Sequence, residues 1–164
     1  MIDQTAFPRI AEIDVIGPYQ LRVTWSDDTT SDVDLEGTVY GFTPYAPLRD
    51  PATFAQASLM DWGDGVEWPD GLDISANTLA FLAREQREMT PSELKAWQDR
   101  MGLSNQEAAA WANVALSTWK NYIKRRGKVP RTLQIAASAA EANPALLYAH
   151  YKPRHSGRPV RSEK

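Results

Sequence analysis

The chain has 164 residues, 43% of them apolar, which suffices for one medium domain or two small ones with buried cores. It has no cysteine, so disulfides, thiolate metal sites and cysteine nucleophiles are excluded. The formal net charge of −3 conceals a division, because residues 1–88 hold 5 Lys/Arg against 16 Asp/Glu while residues 89–164 hold 13 against 5.

That asymmetry predicts two domains with different partners, an acidic one over 1–88 and a basic one over 89–151, followed by a basic tail over 152–164 that reads as disordered. "MIDQTAFPRI" lacks a basic start followed by an apolar run, and no stretch of about 18 apolar residues occurs, so a cytoplasmic location is expected.

The first strand signal is "RIAEIDVIG", ending at Gly17-Pro18. "QLRVTW" then alternates Leu21, Val23 and Trp25 against Gln20, Arg22 and Thr24, "SDDTT" supplies turn chemistry, and "SDVDLE" resumes the alternation through Val33 and Leu35. These read as a hairpin. "GFTPYAPLRDPATFAQA" holds three prolines and reads as a loop with one helical turn after Pro51. "LMDWGDGVEW" reads as two short strands around Gly63-Asp64, with Trp62 and Trp68 placed in the core or at an interface. The first domain is therefore expected to be α+β, a small antiparallel sheet with a helix.

From "DISANTLAFLAREQRE" the apolar period lengthens from two to nearly four and helices take over. "TPSE" offers Thr90 as N-cap, Pro91 as first helical residue and Glu93 to complete a capping box, with Gly102 closing the helix. "SNQE" repeats the device through Ser104 and Glu107. That second helix is alanine-rich, so a following helix can approach closely, and Asn113 suits the left-handed residue of a tight turn. A third helix is expected from about Leu116 to Lys124, a fourth over "RTLQIAASAAEA", and a fifth after Asn143-Pro144.

In the third helix Leu116, Trp119 and Ile123 fall on one stripe with Tyr122 beside it, so the aromatics read as core rather than as platforms for bases. Lys120 and Asn121 lie away from the stripe and have the chemistry of base-edge readers, Lys for guanine and Asn for adenine. Lys124, Arg125, Arg126, Lys128 and Arg131 follow closely. Cations so dense repel one another unless an anion lies opposite, and duplex DNA carries one charge per about 1.7 Å of axis. Phosphate is their expected ligand.

Glu93 to Pro144 resembles the Xre/Cro-type, lambda-repressor-like helix-turn-helix domain. The resemblance rests on Gly102-Leu103-Ser104, Ala109 against the next helix, Val114 after the turn, Ser117-Thr118 before a core residue, and Gly127-Lys128. It implies an all-α fold of five helices, with Asn105 and Gln106 on phosphates and Leu116, Ser117, Lys120 and Asn121 facing bases. Asn113 stands where that family usually has a turn glycine, Ala115 and Leu116 are apolar where polar readers are usual, and the Lys124 to Arg126 run extends past the usual helix end. The first half, "RIAEIDVIGPYQLRVTWSDDTTSDVDLEG" with "WGDGVEWPDGLDISANTLAFLA", is similar to a small bacterial α+β domain of unknown function sometimes fused to such a helix-turn-helix. This second resemblance implies a fold and no activity.

The cluster Asp61, Asp64, Glu67, Asp70 and Asp73 does not match the spacing of a calcium loop and reads as turn chemistry. His150 and His155 lie far from it in sequence, and no nucleophile-base arrangement is legible, so neither catalysis, cofactor nor metal is expected. The expectation is a DNA-binding transcriptional regulator, homodimeric on double-stranded DNA, whose acidic half serves dimerisation or the sensing of a protein partner. The alternative is a protein-interaction module with a drifted helix-turn-helix, antitoxin-like or otherwise partner-binding.

Overall fold

A computed structural model of the chain describes residues 7–154. It divides into two compact units, Met1–Arg87 and Glu88–Lys164. The first is a mixed α/β unit with two small sheets, and the second a run of helices. Tail residues 155–164, His155 among them, lie outside the described residues. No helix among the described residues is long and apolar enough to cross a membrane.

In the first unit, β1 (Ile10–Gly17), β2 (Gln20–Trp25) and β3 (Thr30–Asp34) form an antiparallel sheet in that order. Register follows the alternation in the sequence. Val15, Leu21 and Val33 are matched across one face, and Asp14, Arg22 and Asp32 across the other. Leu21, Val23 and Val33 are buried, whereas Glu12, Asp14, Arg22, Asp32 and Asp34 are exposed. Arg22 is bidentate to Asp32 at 2.8 and 2.9 Å.

The single sheet expected from the sequence is in fact two. β4 (Ser58–Leu59), β5 (Gly65–Trp68) and β6 (Leu72–Ser75) make a second antiparallel sheet. The helical spacing is expected from Asp73, but Leu72–Ser75 is extended. Asp70 and Gly71, both left-handed with φ of 68° and 76°, reverse the chain so that β6 pairs back on β5. Ser75 then caps α3 (Ala76–Gln86), accepting from the Thr78 amide at 3.2 Å. Three helical segments precede this sheet: α1 (Glu36–Gly41), which no periodicity signals; a 3-10 helix over Thr43–Arg49, where a loop is expected; and the single turn α2 (Pro51–Phe54), capped by Asp50 as the proline suggests.

Trp62, in the 3-10 turn before β5, and Trp68, at the end of β5, part company. Trp68 is buried and donates its Nε1–H to the Phe54 carbonyl at 2.8 Å, while Trp62 is 87% exposed in a left-handed conformation and belongs to no core. Its neighbour Gly63 has φ of 71°, and a Cβ there would stand 2.2 Å from the Ile10 carbonyl oxygen. Only glycine lets this turn lie against β1.

The second unit has five helices among its described residues: α4 (Pro91–Arg100), α5 (Asn105–Trp111), α6 (Leu116–Tyr122), α7 (Arg131–Ala142) and α8 (Pro144–His150). Both expected capping boxes are formed, Thr90 with Glu93 and Ser104 with Glu107. Gly102, φ 69°, closes α4. The core gathers Leu94, Trp97, Ala108, Trp119, Ala137 and Leu147. α6 stops at Tyr122, two residues short of expectation. Gly127 packs so closely over its end that a Cβ would lie 2.2 Å from the Asn121 carbonyl oxygen and 2.8 Å from that of Tyr122, leaving no room for another helical turn.

Candidate nucleic-acid interface

Four residues, Ala112 to Ala115, join α5 to α6. Asn113 takes the left-handed conformation, φ 54°, and the Val114 amide donates to the Ala109 carbonyl at 2.9 Å, folding the turn onto the helix it leaves. Small residues at Ala108 and Ala109, both buried, let α6 pack against α5.

Rotation of α6 about its axis is set by Trp119. The ring is fully buried, and its Nε1–H donates to Gln98 Oε1 at 2.9 Å. Gln98, itself buried on α4, uses its amide nitrogen to donate to the Leu103 carbonyl at 3.0 Å and to Asn105 Oδ1 at 2.9 Å. One amide thus fixes α4, the start of α5 and the middle of α6 relative to one another. At about 100° per residue, Ser117, Lys120 and Asn121 then lie about 100–200° around from Trp119, and all three are exposed.

Leu116, placed by its spacing on the apolar stripe, is 39% exposed. It is the first residue of α6, where the helix has not yet met the core, so it joins the outward side instead. Trp119 is core as expected, with Tyr122 and Ile123 packed partly against it.

Lys124, Arg125 and Arg126 occupy a turn after α6 rather than its last helical turn, and all are exposed. Lys124 donates to Asn121 Oδ1 at 2.8 Å, so the acceptor of Asn121 is held in the free protein. The Gly127 amide donates to the Lys124 carbonyl at 2.7 Å and brings the chain back beside α6. Asn121, Tyr122, Lys124, Arg126, Gly127 and Lys128 consequently line one concavity of about 400 Å³. Lys128 pairs with Glu88 at 3.5 Å, an exposed ion pair that holds either side chain only weakly. Arg131 is exposed at the start of α7. Among the described residues no ion pair or side-chain hydrogen bond engages Lys120, Arg125 or Arg126.

Asn105 and Gln106 open α5; Gln106 is exposed and Asn105 half-buried with its oxygen on Gln98. Beside them lies a carboxylate whose further partners the sequence did not disclose. Glu107 is buried, accepts from the Ser104 amide at 2.8 Å, and also accepts from the Tyr151 hydroxyl at 2.9 Å and the Arg154 amide at 3.3 Å. Burial pushes this carboxyl up, but the hydrogen bonds from Ser104, Tyr151 and Arg154 outweigh it and hold the group at about 2, against an ordinary 4.5.

A carboxyl that titrates lower when folded stabilises the fold fully above its unfolded value, here by about 3 kcal/mol, and loses that contribution as pH falls from about 4.5 through about 2. The stability gap between wild type and Glu107→Gln, measured by urea unfolding of helical circular dichroism, should be greatest at pH 7 and shrink towards pH 2. A gap independent of pH would contradict this account.

Of the acidic residues between 61 and 73, Asp64 pairs with Arg9 and Asp70 serves the turn into β6. No group of three or more His, Cys, Asp or Glu among the described residues is placed to hold a metal.

Residues 10–85 match a family model described as "Protein of unknown function (DUF2442)", which covers the sheet-bearing unit. No curated protein matches the chain. Among solved structures, the chain is similar to the "Putative DNA Binding Protein NE0471" from Nitrosomonas europaea ATCC 19718, at 25% identity over 99% of this chain and 100% of that one, with a TM-score of 0.50.

Proposed function

We propose that the helical unit binds double-stranded DNA as a helix-turn-helix of the Xre/Cro, lambda-repressor-like type, and that the protein is a transcriptional regulator acting by occupancy rather than by catalysis. The observation that carries this reading is the orientation of α6. Gln98 locks Trp119 inward, and Ser117, Lys120 and Asn121 stand on the opposite, solvent-facing side, with the cations of the following turn beside them. Such a helix presents base-reading groups to the major groove while flanking cations hold the backbone. The description of the Nitrosomonas structure as DNA-binding supports the same reading, since the likeness extends over nearly the whole chain.

In this reading Leu116 meets a thymine methyl, Ser117, Lys120 and Asn121 face base edges, and Asn105, Gln106, Lys124, Arg125, Arg126, Lys128 and Arg131 hold phosphates. A seven-residue recognition helix reads few base pairs, so two copies on a two-fold site are expected. A second reading, a protein-interaction module, is favoured by one observation: Trp62, 87% exposed on the acidic unit, suits an anchor for a protein partner.

Fluorescence anisotropy of labelled duplex DNA titrated with the full chain between 50 and 300 mM salt distinguishes the two. Affinity that falls linearly on a log-log plot is the expected result. Absence of binding at 50 mM salt would overturn the DNA reading.

A further inference from the structure

The described chain does not end at α8. After His150 it turns back onto α5, where the Tyr151 hydroxyl and the Arg154 amide both donate to Glu107 Oε1. The other oxygen of the same carboxylate caps the Ser104 amide. Residues 151–154 therefore pass within hydrogen-bonding reach of a group lying at the very start of α5. Two cations travel with this segment, Lys152 and Arg154, both exposed. The carboxylate that holds the Arg154 amide belongs to the residue directly after Asn105 and Gln106 in α5, at a different part of the unit's chain from the turn that carries Lys124 to Lys128.

We propose that Lys152 and Arg154 are phosphate-binding residues, positioned beside Asn105 and Gln106 by the clasp that Tyr151 and the Arg154 amide form on buried Glu107. The inference rests on the DNA reading of the helical unit. The binding groups are the two side-chain cations; the clasp is what keeps them from ranging freely, so less entropy is lost when they meet the backbone. Glu107 stays ionised at every physiological pH, and the clasp therefore holds throughout that range.

The test titrates the full chain and two variants with one labelled duplex across a salt series. Lys152→Ala/Arg154→Ala removes two exposed charges, so the salt slope should drop by about 1.8 and the wild-type advantage should shrink about tenfold between 50 and 200 mM salt. Tyr151→Phe removes no charge; it should weaken binding about threefold with the slope close to wild type. Circular dichroism of each variant confirms that the helices persist.

If the double variant matches wild type at every salt concentration, the phosphate role is wrong. If it loses affinity while Tyr151→Phe does not, the clasp has no part in placing the cations and the proposal is overturned in that form. Failure of the underlying reading looks different, because the wild-type chain itself would then not bind duplex DNA.

Discussion

Replacing Lys124, Arg125 and Arg126 together by alanine is expected to cut the salt slope of DNA binding by about 2.7, so that the wild-type advantage falls about fortyfold between 50 and 200 mM salt. The loss should be nearly the same on every sequence, because these residues follow α6 in an exposed turn, and contacts with the DNA backbone, the role proposed for them, carry no sequence information. Lys120→Ala/Asn121→Ala should behave otherwise, costing about 1–3 kcal/mol on a preferred site and less on random duplex. Competition titrations with both DNAs make the comparison. An unchanged slope in the triple variant would remove these residues from the interface.

Gln98→Leu should have the largest effect on folding. It strips the partner from the Trp119 indole nitrogen and from the Leu103 carbonyl and frees Asn105 as well. Two buried groups left without partners cost about 3–5 kcal/mol together, a large fraction of what a small helical unit possesses. Urea unfolding of the full chain, followed by helical circular dichroism, measures the shift. A loss under about 1 kcal/mol would mean that water or other groups replace the amide. Because Gln98 sets the rotation of α6, DNA affinity should fall even under conditions where the helices remain formed.

Much of the fold is local and was legible. The alternation of Leu21, Val23 and Val33 sets the register of the first sheet, and each capping box lies within four consecutive residues. What escaped is short or non-local. β6 is four residues long and runs straight into a helix cap, so its alternation has no length to show itself. α1, "EGTVYG", carries two glycines and two β-branched residues, Thr38 and Val39, and its own propensity argues against the helix that tertiary packing of Val39 imposes.

The end of α6 depends on Gly127 folding across carbonyls five and six residues earlier, which no periodicity reports. Within the candidate interface, composition and spacing singled out Lys120, Asn121 and the cations that follow; spacing alone also puts Leu116 on the apolar stripe, although it is 39% exposed, because a stripe drawn from spacing ignores where the helix begins. Gln98 and Tyr151 were missed for a common reason. Their partners stand 21 and 44 residues away, and a polar residue whose value lies in a distant bond looks in sequence like any solvated one.

The solvent side of the first sheet sets Glu12, Asp14, Asp32 and Asp34 around a single arginine. On the DNA reading proposed above, such a surface acts as ballast: the same polyanion that would draw the helical unit in repels it, whatever the bases beneath. Preferred and arbitrary sequences are then weakened alike, so total occupancy falls while the ratio between addresses is left to the base contacts alone.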